Sequence, residues 1–316
     1  MTFNRYLPQI ACLAVSLIFG FSFMFTKGTL EVLNPFQLLG FRFITAALFL
    51  TGLKYTGVLK IDLKGKPIKK LGLLVMFQPF LYFTAETVGV KLTSSSEAGM
   101  MLAVIPVAVV IFGAIFLKEY PTKVQVMFTA MSVTGVILIV VMQGAQTGGS
   151  HFMGIMILLI AVLAGAAFNI LSRHNSKEFK PMEITFVMMW FGAIMFNAIG
   201  IGQAIIGGAD LTEYFKAIFQ PQAYTGILYL GILSSGIAFF LLNYSLSRIQ
   251  AVQSSVFLNL TTIVAILAGV VILSEPFYWF HGMGGMLIIM GVWGTNYFSE
   301  EVQATVEVPV ALEKGR

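Results

Sequence analysis

Two charged side chains stand inside apolar runs, where a charge costs on the order of 3 kcal/mol at hydrocarbon depth. Arg42 lies in "LLGFRFITAA" (residues 38–47) and Glu86 in "LYFTAETVGV" (residues 81–90). At a helical rise of 1.5 Å per residue, Arg42 lies roughly 10 Å from Pro35 and Glu86 roughly 8 Å from Lys91. The similar depths predict an Arg42–Glu86 ion pair. Two interpretations stay open. The structural one is a static pair or an arginine that snorkels to the interface, and the functional one is an external gate or a site for substrate or protons.

Other polar residues interrupt the apolar runs and predict a shared cavity. Pro79 follows Gln78, and a proline inside a helix removes a backbone hydrogen bond and kinks the helix. Pro106 is expected to kink the fourth apolar run in the same way, and Thr262 and the "SSG" at residues 234–236 lie at similar depth in other runs. Each polar residue taken alone is also explained by helix–helix hydrogen bonding. The candidate substrate-binding or gating residues are Glu86, Arg42, Gln78, Tyr82, Asn169, Asn243, Tyr244, Asn259 and Thr262.

Acidic residues at the ends of the runs predict structural roles. Ser94 and Glu97 match the S-x-x-E capping box of a helix N-terminus. Glu119 and Glu275 are each expected to end a helix and to pair with a lysine or the backbone. The glycines of "GMGGM" and Gly291 have the spacing of close helix contacts, with the fifth apolar run as a candidate partner.

The sequence offers no catalytic, metal or nucleotide site. Cys12 is the only cysteine, and the three histidines are scattered without the spacing of a zinc site. No G-x-x-x-x-G-K-[ST] occurs, so the chain carries no P-loop for ATP. The basic residues fall between apolar runs, which excludes a nucleic-acid-binding patch. We therefore expect no cofactor, no nucleic-acid partner and no enzymatic activity.

Composition places these residues in a polytopic membrane protein. The chain of 316 residues is 58% hydrophobic and 10% charged, with a mean hydropathy of +0.89. Soluble domains carry about 25% charged residues. A spanning helix needs about 20 mostly apolar residues. That template predicts ten spans, numbered in chain order: 7–26, 35–57, 70–91, 97–117, 123–142, 152–173, 182–206, 222–247, 252–274 and 279–298.

The loop charges predict the orientation. Basic residues favour cytoplasmic loops. With the N-terminus inside, only Lys27, Lys91 and Lys216 fall outside, so both termini are expected to be cytoplasmic. The fifteen inside are Arg5, Lys54, Lys60, Lys64, Lys66, Lys69, Lys70, Lys118, Lys123, Arg173, Lys177, Lys180, Arg248, Lys314 and Arg316.

The two halves of the chain are weak copies of one unit. A shift of 156 pairs Glu119 with Glu275 and Gly135 with Gly291, and a shift of 146 pairs Lys27 with Arg173. Because five spans is an odd number, the second copy is expected to be inverted in the membrane. The predicted fold is therefore an all-α polytopic membrane protein, with ten transmembrane helices as two inverted five-helix repeats around a central cavity. The expected divisions are 1–147, 148–298 and a disordered cytoplasmic tail at 299–316.

The chain resembles the EamA-type branch of the drug/metabolite transporter superfamily over residues 7–298. The resemblance rests on the "FGFSF…K…P…R" pattern from Phe19 to Arg42, and above all on "GVKLTSSSEAGMMLAVIPVAVVIFGAIFLKEYP" (residues 89–121). It departs from the family at Phe19-Gly20, where Trp-Gly is usual, and at Met188, where Arg42 has no counterpart. The resemblance implies secondary transport of small metabolites, often amino-acid export, with spans 5 and 10 at the back of a central cavity.

We therefore expect a secondary active transporter in the cell membrane. It would move small organic metabolites, amino-acid-like or related solutes, by alternating access, with export as the implied direction. Its partners would be the substrate and the lipid bilayer, and protons are a candidate coupling ion through Glu86. A passive facilitator or channel is the alternative, and an integral-membrane enzyme is disfavoured because clustered acids, histidines and metal ligands are missing.

Overall fold

The chain folds as a bundle of membrane-spanning helices. The computed structural model describes residues 3–117, 122–147, 149–208, 210–249 and 259–313. Throughout these ranges the regular elements are helical, with no strand. Seven of the described helices, in spans 1–4 and 6–8, are long and apolar enough to cross a membrane. Spans 5 and 9 contain the shorter apolar helices Lys123–Ile139 and Leu260–Ile272.

Six spans are continuous helices. Span 2 begins with a capping box, in which Asn34 accepts a hydrogen bond from the Gln37 amide at 3.0 Å, and Pro35 occupies the first turn. Proline fits at this position because the first N–H groups of a helix have no intrahelical partner, so the N–H that proline lacks is not needed. The continuous spans are span 1 (Phe3–Thr29), span 2 (Pro35–Tyr55), span 5 (Lys123–Thr147), span 6 (Gly149–Asn175), span 7 (Pro181–Ile206) and span 10 (Trp279–Glu313).

The other four spans are interrupted by π-helical segments. In span 3 the helix breaks at Gln78, whose φ of −146° and ψ of 119° are extended, as the following Pro79 requires. In span 4 a break precedes Pro106, which sits in the first turn of the next helix. The pieces are Gly72–Val75, Met76–Leu81 (π) and Tyr82–Leu92 in span 3; Ser95–Leu102, Ile105–Phe112 and Gly113–Leu117 (π) in span 4; Pro221–Leu228, Tyr229–Ala238 (π) and Phe239–Arg248 in span 8; and Asn259–Leu267 and Ala268–Ile272 (π) in span 9.

The positions of the breaks follow the repeat. The π segments of spans 3 and 8 overlap when the first is shifted by 156, and so do those of spans 4 and 9. The proline breaks of spans 3 and 4 agree with the sequence prediction. Spans 8 and 9 carry no proline at their π segments, so these breaks were not predicted. Both π segments contain glycine, and that of span 8 also contains Ser234 and Ser235, which are less clear sequence signals of a break than proline.

The main packing contacts between spans are repeated when the halves are exchanged. Spans 2 and 7, 4 and 9, and 5 and 10 pack as pairs of counterparts. Span 3 packs on span 6 as span 8 packs on span 1, and span 4 packs on span 6 as span 9 packs on span 1. This arrangement is the one expected of two structurally equivalent five-helix units.

Two cations occupy equivalent places in the two halves. The Lys27 ammonium at the end of span 1 donates to the carbonyl oxygens of Val90 (3.0 Å) and Thr93 at the end of span 3. The Arg173 guanidinium at the end of span 6 donates to Leu246 O (2.9 Å) and to the carbonyl oxygen of residue 249 (2.5 Å) at the end of span 8. The acceptor residues of the second half, 246 and 249, are those of the first half, 90 and 93, shifted by 156. The pairing of Lys27 with Arg173, suggested by the sequence, therefore has a structural basis: each cation binds unpaired carbonyls at a helix C-terminus.

Spans 5 and 10 meet through glycines, as the sequence predicted. A Cβ atom added at Gly135 would lie 2.6 Å from Gly284 O, and one at Gly291 would lie 2.5 Å from the Ser132 nitrogen. The two backbones approach so closely that only glycine fits at these positions.

Two regions outside the predicted spans, the loop after span 7 and the residues after 298, differ from the sequence prediction. The loop between spans 7 and 8 contains a short helix, Leu211–Lys216, capped by the Asp210 carboxylate. The helix of span 10 continues to Glu313, whereas the sequence predicted a disordered tail from residue 299. The residues after 298 include helix-favouring Glu, Gln and Ala, and no glycine or proline occurs before Pro309. Glu119, predicted to pair with a lysine or the backbone, lies outside the described residues.

Candidate functional site

A small cavity lies at the centre of the bundle, between the two halves. Spans 1, 2, 3 and 4 contribute lining residues from the first half, and spans 6, 8 and 9 contribute them from the second. Its volume is about 60 Å³, which is room for a few water molecules. The broken helix of span 3 supplies Gln78, Tyr82 and Glu86 to one wall.

Arg42 extends into this cavity from span 2 and is 1% exposed. Its Nε donates to Ser235 Oγ at 2.8 Å and its Nη2 to Ser234 Oγ at 3.0 Å, both in the π segment of span 8. The guanidinium carbon lies 4.3 Å from the centre of the Phe83 ring, a cation–π contact. Hydroxyl dipoles and an aromatic face therefore stabilise the buried charge.

The predicted Arg42–Glu86 ion pair is wrong. No nitrogen–oxygen distance between the two residues is within 4.0 Å, although both line the cavity. The guanidinium instead turns toward the serines of span 8, which lie far away in sequence. Estimating depth along spans 2 and 3 correctly brought the two residues to one cavity, but it contained no information about span 8.

Several buried polar atoms at the cavity have no hydrogen-bond partner among the described residues. Arg42 Nη1, Glu86 Oε2, Asn169 Oδ1 and Thr261 Oγ1 are buried without a hydrogen-bond partner among the described residues. All four side chains line the cavity. Buried polar groups in proteins are nearly always paired, and an unpaired one costs about 1–3 kcal/mol. A donor, a carboxylate and two neutral polar groups are thus available to a polar ligand.

Aromatic rings form much of the remaining wall. Phe19 of span 1 and Phe83 of span 3 pack against Phe239 of span 8, with ring centres 5.2 Å and 5.6 Å apart. Phe168 of span 6 packs edge-on against the same ring at 6.2 Å. These four phenylalanines line the cavity. The site therefore combines opposite charges with an apolar, aromatic surface.

The structure gathers six of the nine candidate residues at this cavity: Glu86, Arg42, Gln78, Tyr82, Asn169 and Thr262. Thr262 also donates to Gly99 O at 3.0 Å, which ties span 9 to span 4. The Asn169 amide donates to Gly165 O at 2.9 Å within its own helix.

The other three candidates are placed elsewhere. Asn243 binds Ser172 at 2.6 Å and Thr185 at 2.9 Å, so it joins spans 6, 7 and 8 away from the cavity lining. Tyr244 packs beside Phe240 and Arg248 near the end of span 8. The side chain of Asn259 lies outside the described residues. Span 8 turns Asn243 toward its neighbours and Tyr244 toward the periphery, which its polar pattern alone did not distinguish.

Sequence reasoning missed the aromatic walls and Ser22 of span 1. Phenylalanine is abundant throughout the chain, with 29 residues, so its type carries no signal for the cavity. Ser22 donates to Phe19 O at 2.6 Å and lines the cavity beside the aromatic rings. Only the packing of span 1 against spans 8 and 9 brings these residues inward.

Comparisons with known proteins agree with this architecture. The model of the EamA-like transporter family matches residues 7–141 and 152–297. The uncharacterized transporter YcxC of Bacillus subtilis is 38% identical over 287 residues, covering 91% of this chain and 92% of that protein. A probable terminal-alkyne amino-acid exporter of Streptantibioticus cattleyicolor is 25% identical over 198 residues, covering 63% of each.

A solved crystal structure shares the fold. It aligns with a TM-score of 0.63 at 17% sequence identity, covering 92% of this chain and 96% of the other. The fold, the two matched halves and the identity to YcxC lead to one conclusion: the chain belongs to the EamA-like transporter family.

Proposed function

We propose that the protein is a secondary active transporter for small amino-acid-like zwitterions, which it exports by alternating access. The observation that carries this proposal is the central cavity, where a free Arg42 donor and a free Glu86 oxygen share an aromatic chamber. Arg42 Nη1 suits a substrate carboxylate, and Glu86 Oε2 suits a substrate ammonium group. The phenylalanines suit an apolar side chain. A relative named as a probable amino-acid exporter supports the direction and the substrate class.

Alternating access follows from two equivalent halves around one site. In such carriers, one half rocks against the other and exposes a site near the membrane midplane to each face in turn. The cavity volume of about 60 Å³ fits a closed state that must widen to admit a substrate. With no P-loop in the sequence, the driving force is proposed to be an ion or solute gradient.

The substrate class is tested with purified protein in proteoliposomes. The probes are labelled phenylalanine, its amine phenethylamine and its acid phenylacetate. We expect saturable uptake and counterflow of the zwitterion, with the two single-charge analogues bound at least about tenfold more weakly because each leaves a buried charge unpaired. Protein-free liposomes are the control.

Two variants assign the charges. Arg42→Met should remove the preference for the carboxylate, and Glu86→Gln the preference for the ammonium group. Equal transport of the three probes by the parent protein would contradict the proposed zwitterion site. A flux that never saturates, or a current without counterflow, would support the channel alternative instead.

Protons are proposed as the coupling ion, with Glu86 as the exchanging group. Glu86 is 2% exposed, and its Oε2 has no hydrogen-bond partner among the described residues. If the proposal holds, Glu86→Gln loses proton-driven net flux and keeps a substrate exchange that does not depend on pH. Proton-driven uptake at the parent level in this variant would reduce Glu86 to a structural residue.

We further propose that the protein lies in the cell membrane with both termini cytoplasmic. Residues 1–147 and 148–298 are proposed as the two repeats, followed by a cytoplasmic tail. The support is the excess of Lys and Arg on the side of the Lys60–Lys70 loop. Lys66 and Lys70 of that loop bind Glu183 and Glu178 at 2.5 Å and 2.6 Å, so the loops after spans 2 and 6 lie at one end of the molecule and share one side of the membrane.

A further inference from the structure

Three ionisable side chains from three spans meet at one end of the bundle. This is the end where span 1 finishes, with Lys27 in its last turn, and we call it the Lys27 end. Glu97 from the first turn of span 4 lies there, 3.1 Å from Nε2 of His151 in span 6 and 3.5 Å from Nε2 of His281 in span 10. Both distances end on the same oxygen, Glu97 Oε1. The carboxylate thus bridges the first half of the chain to two helices of the second half.

The cluster is buried and is short of positive charge. The side chains of Glu97 and His281 are 2% and 3% exposed, and that of His151 is 13% exposed. The partly buried Lys27 is the nearby cation, while Glu275 adds a second carboxylate. With neutral histidines, the carboxylates of Glu97, Glu275 and the exposed Glu31 act on the one Lys27 ammonium group, so the charge here favours an added proton. Glu31 and Lys91 also lie at this end and are exposed.

The proton has one favoured position. The Tyr278 amide donates to Nδ1 of His281 at 3.2 Å, which leaves Nδ1 without a hydrogen and directs the Nε2 hydrogen toward Glu97. A second proton on His281 would break this contact at the start of span 10. His151 carries no such constraint from a backbone donor in the described contacts, and it is the more exposed ring. A second ring hydrogen therefore fits at His151 without breaking a backbone contact, whereas at His281 it would break one.

The same contacts fix the start of span 4. Glu97 Oε2 accepts hydrogen bonds from the Ser94 amide and hydroxyl, both at 3.0 Å, completing the predicted capping box. Glu275, at the end of span 9, binds the amide and hydroxyl of Ser95 at 2.7 Å and 2.8 Å, and those of Ser96 at 3.0 Å and 2.6 Å. The N-terminus of span 4 is thus held by the second half, and opening this end requires those contacts to separate.

We propose that Glu97, His151 and His281 form a proton-binding site that locks the Lys27 end of the transporter closed. A proton on His151 converts its contact with Glu97 into a charge-assisted hydrogen bond, which is about twice as strong as a neutral one. The closed conformation therefore binds the proton more tightly than the open one, and acid shifts the population toward closure. The site is separate from the central cavity. The proposal rests on the proposed alternating access, since the closed and open states are those of the carrier.

The test measures access to the cavity from the Lys27 end. Ser22→Cys, in a Cys12→Ser background, places a single thiol in the cavity of the full-length protein. A membrane-impermeant maleimide is applied to this face without substrate, between about pH 5.5 and pH 8, the range around the ordinary titration of histidine. Labelling of Thr212→Cys, an exposed position at the same end, corrects for the pH dependence of the thiol reaction itself.

We expect the corrected labelling rate to rise roughly threefold to tenfold from acid to alkaline pH, as the lock loses its proton. His151→Gln should give a high rate at every pH. The matched control is His174→Gln at the opposite, exposed end of the same span, which should keep the parent's pH response.

A flat pH profile in the parent protein would overturn the proposal without any histidine variant. So would a parent-like profile in His151→Gln, or in Glu97→Gln should the histidine variant fail to fold. These readings use no substrate, so a failure of the proposed zwitterion transport would appear in the flux assays and not here.

Discussion

At the residue scale, the most informative feature is the buried Arg42, whose positive charge is stabilised without an ion pair to a carboxylate. Ser234 and Ser235 occupy two of its donors, and the face of Phe83 covers the guanidinium carbon. Nη1 is left without a partner among the described residues. A direct ion pair with Glu86 would have left neither group available to a ligand. Because hydroxyl dipoles stabilise the charge instead, both groups remain available to the proposed substrate.

Arg42→Lys should therefore weaken substrate binding although it keeps the positive charge. Lysine cannot reach two serines, stack on a ring and present a further donor at once. We expect KM for the zwitterion to rise by at least about tenfold, the loss of one charged hydrogen bond of about 1.5–3 kcal/mol. Initial uptake rates in proteoliposomes measure it.

Arg173→Lys is the matched control for this prediction. Arg173 binds two carbonyls through Nη1 alone, as Lys27 does with its ammonium in the other half. Lysine should serve in that position, and KM should stay within about twofold of the parent. Equal effects of the two substitutions on KM would argue against a substrate role for Arg42.

At the element scale, interruptions of the helices position the site. The π segments of spans 3 and 8 lie where Gln78, Ser234 and Ser235 turn inward. The segments of spans 4 and 9 lie nearer the ends of their helices. A π-helical turn widens the helix and leaves backbone groups less regularly paired, which is why such turns are frequent at functional sites.

Spans 5 and 10 show the opposite design, a continuous and close contact. We expect Gly291→Ala to destabilise the protein by about 1–3 kcal/mol, because the new methyl group meets the backbone of Ser132. The control is Gly282→Ala in the same span, where the nearest atom to an added Cβ lies at an ordinary 3.6 Å. Thermal unfolding in detergent compares the two, and equal melting temperatures would contradict the close contact.

The elements that the sequence predicted well are those with an unmistakable local signal. Prolines marked the breaks of spans 3 and 4, and Ser94 with Glu97 marked a helix start. The partners of Arg42 could not be predicted in this way. They depend on how span 8 packs on span 2. The sequence alone does not distinguish a serine pair in a packing interface from one in a binding site. The sequence indicates how deep a residue lies along its helix, but not which way its side chain faces around the helix axis. For this reason Asn243 and Tyr244 were wrongly assigned to the cavity.

At the scale of the whole molecule, exchange of the halves preserves the main packing contacts between spans. Lys27 and Arg173 make the same contacts at the ends of spans 3 and 8. At the Lys27 end, Glu97 and Glu275 join helices of the two halves, and at the opposite end Lys66 and Lys70 bind Glu183 and Glu178. Two equivalent halves can adopt two states of similar energy, each open to one face.

The proposed orientation predicts opposite labelling of two loops. In the Cys12→Ser background, Lys64→Cys should react with an impermeant maleimide only after cells are permeabilised, and Thr212→Cys should react in intact cells. Both positions are exposed, so permeabilised cells provide the control for reactivity. Labelling of residue 64 in intact cells would reverse the orientation.

The equivalence of the halves has a consequence for how the chain is made. Turned upside down, the bundle would present nearly the same helices to the lipid, so folding energy alone scarcely distinguishes the two insertions. The orientation is therefore determined by the charges of the loops during insertion. The loop after span 7 carries Lys216 beside two acids, whereas the loop after span 2 carries Lys60, Lys64, Lys66, Lys69 and Lys70. Moving a few lysines from the first loop to the second is therefore expected to yield a mixed population, with well-folded molecules pointing both ways.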